Sequence, residues 1–326
     1  MKAVIVDKFG SIENMKYADV EMPSINSNQI LIRVQTTSVN FADIKARLGN
    51  KGQGKLPFIL GLEASGIIEK IGNDVKSFYI GQRVLAFPHH GSYAEYVVAD
   101  ENLTFAIPDG IPFEIAGACG IVSFLSYKLL ADIAKLQKGE NILIHSASGG
   151  VGTTAIQIAK ALGANNIIGT VGNEEKIPMA LNAGADHTIC YANGEFAEKV
   201  NELTDGKGVD IILDSVGGDI TAQSLKCLAP MGRLVIFGNS SGRYGHVQTN
   251  DLHASCRSVL GFSLGTIRKE RPEILKDTAV QIFRLLENGQ LDIKISARFP
   301  LSEASLAHQF VENRNSTGKV LLYLEN

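Results

Sequence analysis

The segment Ser146-Ala147-Ser148-Gly149-Gly150-Val151-Gly152 constrains this chain more than any other, because it joins a strand pattern to a helical one. Residues 141–145 form a short apolar run, and residues 151–162 continue from the loop with Ile156, Ile158 and Ala159 directed inward. A strand entering a helix through clustered glycines turns tightly and lets backbone come close to a ligand. The helix start adds N–H groups without intrahelical partners and the positive end of its dipole. Together these make a cradle for a pyrophosphate. Glycines alone fit equally a turn packed for its own sake, so the pattern downstream of the loop decides.

Downstream, strands and helices alternate. Strand patterns at 167–171, 188–191, 209–213, 233–237 and 258–262 are separated by helical ones at 174–183, 196–203 and 220–228. Such alternation builds right-handed βαβ units and a parallel sheet. Burial on both faces explains continuous apolar runs such as Ile211-Ile212-Leu213. The region upstream of the loop reads differently. Strands at 29–39, 63–71, 83–87 and 93–98 are punctuated by Gly10, Gly61, Gly72, Gly81 and Gly91, the pattern of an antiparallel, barrel-like domain, with a helix expected over 124–136. From 266 the alternation stops, giving a helix at 272–286, a strand at 294–298, a helix at 303–313 and a strand at 320–324. The expected fold class is α/β, with a doubly wound parallel sheet domain (123–265) inserted into a mostly-β domain made from both chain ends (1–122 and 266–326). A chain of 326 residues is long enough to fill two such cores.

Composition narrows the partners. A net charge of -3 and the absence of interleaved basic and aromatic residues argue against nucleic acid. The uncharged run 115–127 is too short to span a bilayer, and 141–159 is rich in glycine and hydroxyls, so no membrane span is expected. Met1-Lys2 leads straight into a strand pattern, which leaves no room for a signal peptide. Cys119, Cys190, Cys227 and Cys256 form no CxxC pair, and all four are read as structural thiols of a cytoplasmic protein. His145, His187, His246, His253 and His308 show no metal-ligand spacing. Adjacent His89 and His90 on an extended segment point apart, so no metal is expected.

The second strand bears on the nucleotide. NAD enzymes place an acid about 20 residues after the glycine loop. Here the strand ends Thr170-Val171-Gly172-Asn173, with Lys176, Tyr191 and Arg243 as cationic or phenolic groups near the expected phosphate. That pattern favours NADPH. Glu174 and Glu175 weigh against it, since a carboxylate there reaches a ribose hydroxyl as well.

Beyond the glycine loop, the motifs Val39-Asn40-Phe41-Ala42-Asp43, Gly61-Leu62-Glu63-Ala64-Ser65-Gly66, Asp214-Ser215-Val216-Gly217, Phe237-Gly238-Asn239-Ser240-Ser241-Gly242 and Thr317-Gly318-Lys319 complete a resemblance. The chain resembles the zinc-free medium-chain dehydrogenase/reductases, and within them the NADPH:quinone oxidoreductases related to zeta-crystallin. The resemblance implies a Rossmann domain inserted into a GroES-like domain, a cofactor between the domains, and a homodimer. It implies that Asn40 and Asp43 position nicotinamide and substrate, with Phe41 and Lys45 beside them. Gly149, Gly150, Val151 and Gly152 would hold the pyrophosphate, and Gly172, Asn173, Lys176 and Tyr191 the adenosine phosphate, with Arg243 nearby. Val216, Gly238, Asn239 and Ser240 would line the ribose, Phe262, Ser263 and Leu264 would close the nicotinamide pocket, and Lys319 would approach from the tail. Zinc relatives carry a Cys segment and Gly-His-Glu where this chain has Asn40-Phe41-Ala42-Asp43 and Gly61-Leu62-Glu63. Leu62, Lys45 and Leu125 depart from close relatives and leave the substrate open. A flat quinone is the expected acceptor. Two rivals stand beside it: a reductase of unsaturated carbonyls with Tyr93 or bound water as proton donor, and a cofactor-bound structural or RNA-binding protein.

Overall fold

The computed structural model describes residues 1–50, 55–89, 91–193 and 195–325, and divides them into two compact units. One unit holds Met1–Phe124, Gly265–Glu287 and Ile293–Asn326; the other holds Leu125–Leu264 and Asn288–Asp292.

In the first unit, the strand Gln29–Val39 is the spine. It is long, and its alternate residues Ile30, Ile32 and Val34 turn into a core with Ala64, Ile68, Val84, Ala86, Val97 and Ala99. It pairs antiparallel with Ala64–Ile71 on one side. On the other it meets Tyr96–Asp100 along its first half and the tail strand Lys319–Tyr323 along its second. The register Val320↔Val39 brings the chain's end beside Asn40. A smaller sheet of Met15–Asp19, Lys2–Val6 and Phe58–Ile59 completes this GroES-like unit.

The second unit is a six-stranded parallel sheet in the order His187–Cys190, Ile167–Val171, Ile142–Ile144, Val209–Asp214, Leu228–Ile236, Ser258–Gly261. Numbered within the sheet this is 3-2-1-4-5-6, the doubly wound Rossmann order. The order reverses at Ile142–Ile144, the strand that feeds the glycine loop.

One expectation about a helix fails. The helix expected over 124–136 begins at Phe113, just after Pro112, and runs as α-helix to Tyr127 and then as a π-helical stretch through Ile133. It is buried nearly all round, so its start carries no polar–apolar period to read. At 21 residues it is long and apolar enough to cross a membrane, but 67% of its most apolar window is buried inside the protein, as in a core helix. Cys256 also departs from expectation, being exposed where the other three cysteines are buried.

Candidate functional site

Within the Rossmann unit, every loop at the carboxyl end of the sheet carries candidate residues. His145 ends the first strand, buried, with its ring nitrogens 2.8 Å from Thr170 Oγ1 and 2.9 Å from Ser224 Oγ. Burial pushes its imidazole down to about 4, so it is a neutral packing group. Ser146 then takes a left-handed φ of 55°, and Gly149 caps the helix Gly150–Ala161 without a side chain. The first-turn amides are therefore left facing outward for an anion. Gly152 has a different task. A Cβ there would lie 2.3 Å from the Ser146 carbonyl oxygen and 2.6 Å from Ala147 Cα, so only glycine lets the helix start press against the loop.

The next strand, Ile167–Val171, ends at exposed Gly172, where a Cβ would lie 2.8 Å from Tyr191 Oη. Asn173 accepts the Glu175 amide at 2.8 Å and starts the 3-10 turn Glu174–Lys176, whose last amide donates to Asn173 O at 3.1 Å. Gly172, Asn173 and Lys176 thus follow this strand, Tyr191 reaches Gly172 from the end of the neighbouring strand His187–Cys190, and exposed Glu174 and Glu175 lie on the same turn as Lys176.

Sequence reasoning missed Asp214. Its buried carboxylate accepts the amides of Val216 (2.7 Å) and Gly217 (3.0 Å) and the hydroxyl of Thr221 (2.6 Å), folding the loop that carries Val216. Backbone bonds from Phe237 to Asp214, Ser240 to Ser215 and Ser241 to Val216 zip this loop to the next. That sets Val216, Gly238, Asn239 and Ser240 side by side. Arg243 lies just beyond, in an exposed ion pair with Asp219 at 2.9 Å, a pair water largely screens. Phe262 is half-buried, Ser263 exposed, and Leu264 buried at the start of the helix Leu264–Glu270.

Within the GroES-like unit, the candidates gather around a buried acid. Glu63, 0% exposed, accepts from Ser38 Oγ (2.7 Å), Asn40 Nδ2 (2.9 Å) and the Ile121 amide (2.6 Å), and pairs with Lys319 Nζ at 3.1 Å. Lys319, 3% exposed, also donates to Asn40 Oδ1 (2.7 Å) and Val39 O (3.3 Å). Its three N–H donors are all taken up inside the protein, and Asn40 is held at both ends of its amide. Asp43 accepts the Asn40 amide at 2.8 Å and is likewise buried, closing the first turn of the helix Phe41–Arg47. Phe41 is half-exposed, with Lys45 Nζ 5.5 Å from its ring centre. Leu62 is half-buried here, as is Leu125 in the other unit. Burial and the nearby Glu63 push the Cys119 thiol up.

Tyr93, a proton donor only on the rival reading of an unsaturated-carbonyl reductase, is 0% exposed. Its hydroxyl lies 3.1 Å from His308 Nε2 and 3.4 Å from Asp43 Oδ2, and burial drives its phenol well above its usual value. Sealed from solvent, Tyr93 does not suit that role; it ties the helix Phe41–Arg47 to the helix Ala304–Glu312. Among the described residues no three or more His, Cys, Asp or Glu side chains gather as a metal site. His89 pairs with Asp100, and His90 lies outside the described residues.

The sequence family described as alcohol dehydrogenase GroES-like domain matches residues 26–109, and that described as zinc-binding dehydrogenase matches residues 150–279. The chain is 39% identical to the quinone oxidoreductase of Pseudomonas aeruginosa over 322 residues, covering 96% of this chain and 97% of that one. It is 31% identical to the 2-haloacrylate reductase of a Burkholderia species, covering 98% of each. The crystal structure of Escherichia coli quinone oxidoreductase complexed with NADPH superposes with a TM-score of 0.93 at 33% identity, covering 99% of this chain and 100% of that one.

Proposed function

The chain belongs to the quinone oxidoreductase family of medium-chain dehydrogenases/reductases, and from that membership we propose that it reduces a quinone with NADPH and without zinc. The observation that carries the cofactor is the tip of strand Ile167–Val171, where Gly172 and Asn173 stand in place of a carboxylate and Lys176 and Tyr191 flank them. The residues present fit a dinucleotide, since Gly149 leaves the helix amides uncapped and Gly152 keeps the loop pressed to the helix. NADPH, when bound, supplies the hydride.

Gly149, Gly150, Val151 and Gly152 hold the pyrophosphate. Gly172, Asn173, Lys176, Tyr191 and Arg243 hold the 2′-phosphate, and Lys176 answers its charge with a charge-assisted bond. Val216, Gly238, Asn239 and Ser240 take the ribose, and Phe262, Ser263 and Leu264 the nicotinamide. For the GroES-like unit the family resemblance assigns Asn40, Phe41 and Lys45 to nicotinamide or acceptor, with Asp43 and Lys319 acting through Asn40. Asn40 Nδ2 donates to Glu63 Oε1 at 2.9 Å and, more weakly, to Ser38 O at 3.4 Å, so the amide keeps chiefly lone-pair capacity on Oδ1 and serves as an acceptor. Within the GroES-like unit, apolar Phe41 and Leu62 suit a flat, weakly polar ring. The same reading makes the protein a cytoplasmic homodimer with no membrane or nucleic-acid partner. Light scattering of the purified chain tests the dimer.

The decisive experiment tracks NADPH loss with a panel of quinones and unsaturated carbonyls. Faster quinone reduction is expected. The likeness to 2-haloacrylate reductase favours a second reading, reduction of an activated C=C bond, and faster turnover of unsaturated acids would establish it. Elemental analysis finding one tightly bound zinc per chain would overturn the zinc-independent assignment.

A further inference from the structure

Arg268 stands out in the GroES-like unit as a cation whose donors are largely unused. It lies on the helix Leu264–Glu270, one turn after Leu264. Its guanidinium sits 4.8 Å from the centre of the Phe87 ring. That ring is a fixed platform, fully buried and edge-on to Phe105 (5.7 Å) and Phe124 (5.1 Å). A guanidinium has five N–H donors in a planar fork, and here one long bond, Nη2 to Pro88 O at 3.5 Å, is the hydrogen bond it makes among the described residues. None of its nitrogens is sealed off without a partner, so the remaining donors face accessible space.

The platform adjoins the polar hub. A Cβ on Gly120 would lie 2.6 Å from Glu63 Oε2 and 3.1 Å from Phe87 Cε1, so carboxylate and ring flank the same glycine. Glu63 is already neutralised by Lys319 at contact distance, and Arg268 feels Glu63 and Asp43 only across space. Partial burial lowers its guanidinium to about 10, with Glu63 and Asp43 pulling the other way across space. The ring supports the guanidinium while most of its donors stay unused, an arrangement suited to a planar or tetrahedral oxyanion.

We propose that Arg268 is a specificity-determining residue of the acceptor site, binding an anionic substituent, and that the preferred acceptors are acidic quinones carrying a carboxylate or sulfonate. This rests on the quinone-reductase reading above. The alternative role for Arg268 is a plain cover for the Phe87 ring, in which case acceptor charge is irrelevant.

Binding separates the two without needing turnover. The NADP+-saturated protein is titrated calorimetrically with naphthoquinone sulfonate and with neutral menadione, and the ratio of the two affinities is read. The native chain should favour the sulfonate by roughly ten- to hundredfold, the worth of one charge-assisted contact. Arg268→Met, which keeps an apolar stem over Phe87, should collapse that ratio toward one, and Arg268→Lys should recover part of it. A native ratio near one, or a ratio that survives in Arg268→Met, overturns the proposal. Failure of every quinone to oxidise NADPH would count against the enzymatic reading and leave this measurement standing.

Discussion

In the Rossmann unit the candidate site is built from backbone. Gly149, Gly152 and Gly172 bring main chain close, and the helix start and strand tips present amides with few side chains committed. In the GroES-like unit it is built from side chains. Ser38, Asn40, Glu63 and Lys319 satisfy one another in a closed network with the Ile121 amide. The first arrangement stays open to a ligand and tolerates solvent. The second fixes one amide orientation at Asn40, at the expense of burying an ion pair that must remain complete.

Leaving that ion pair half made tests the contrast most severely. Glu63→Ala strands a buried ammonium and should lower unfolding free energy by about 3–5 kcal/mol in urea titrations. Replacing both partners, Glu63→Gln with Lys319→Met, should restore a good part of it, and a double variant no better than the single would show that the network is not an ion pair at heart.

Next in size is a pH effect shared by the units, each of which buries one imidazole among the described residues. His145 is held down to about 4 and His308 to about 3, against 6.5 in the unfolded chain, chiefly by burial in both cases. Below pH 6.5 the unfolded chain binds protons that the folded chain refuses. Stability is therefore complete above that value and falls with pH by about 1.4 kcal/mol per unit for each histidine. Midpoints measured across this window should show a slope that His145→Gln or His308→Gln each reduces. A slope untouched by either change would place the sensitivity in the carboxylates.

A smaller effect tests the open site. Lys176→Ala should weaken NADPH binding roughly ten- to hundredfold and leave NADH little changed. Equal losses for both nucleotides would mean that Lys176 supports the turn Glu174–Lys176 and does not read the phosphate. Smallest is Tyr93→Phe. Loss of a hydroxyl shared between His308 and Asp43 should lower stability by about 1 kcal/mol, with quinone turnover near that of the native chain. Abolished reduction of unsaturated carbonyls would return Tyr93 to the role of proton donor.

Much of the open site was readable from local pattern. The strand Ile167–Val171 and the helix Phe196–Leu203 lie at their expected bounds, and the glycine loop sits between strand and helix as its spacing required. The helix from Phe113 was not readable, because a segment apolar on every side carries no period. Asp214 looked like any strand-end acid until its three donors were seen.

The order of amino acids is therefore enough for the backbone-made part: alternation, turn glycines, and a strand tip without a carboxylate. These are local properties, set by sterics and amide geometry within a few residues. The side-chain part exists only once the chain has folded. Lys319 reaches Asn40 because strand Lys319–Tyr323 pairs with Gln29–Val39 in one register, joining residues 279 apart in sequence. The same assembly seals Tyr93 from solvent and opens Arg268 beside Phe87. Burial and partner choice depend on which distant surfaces meet, and no short window of sequence contains that information.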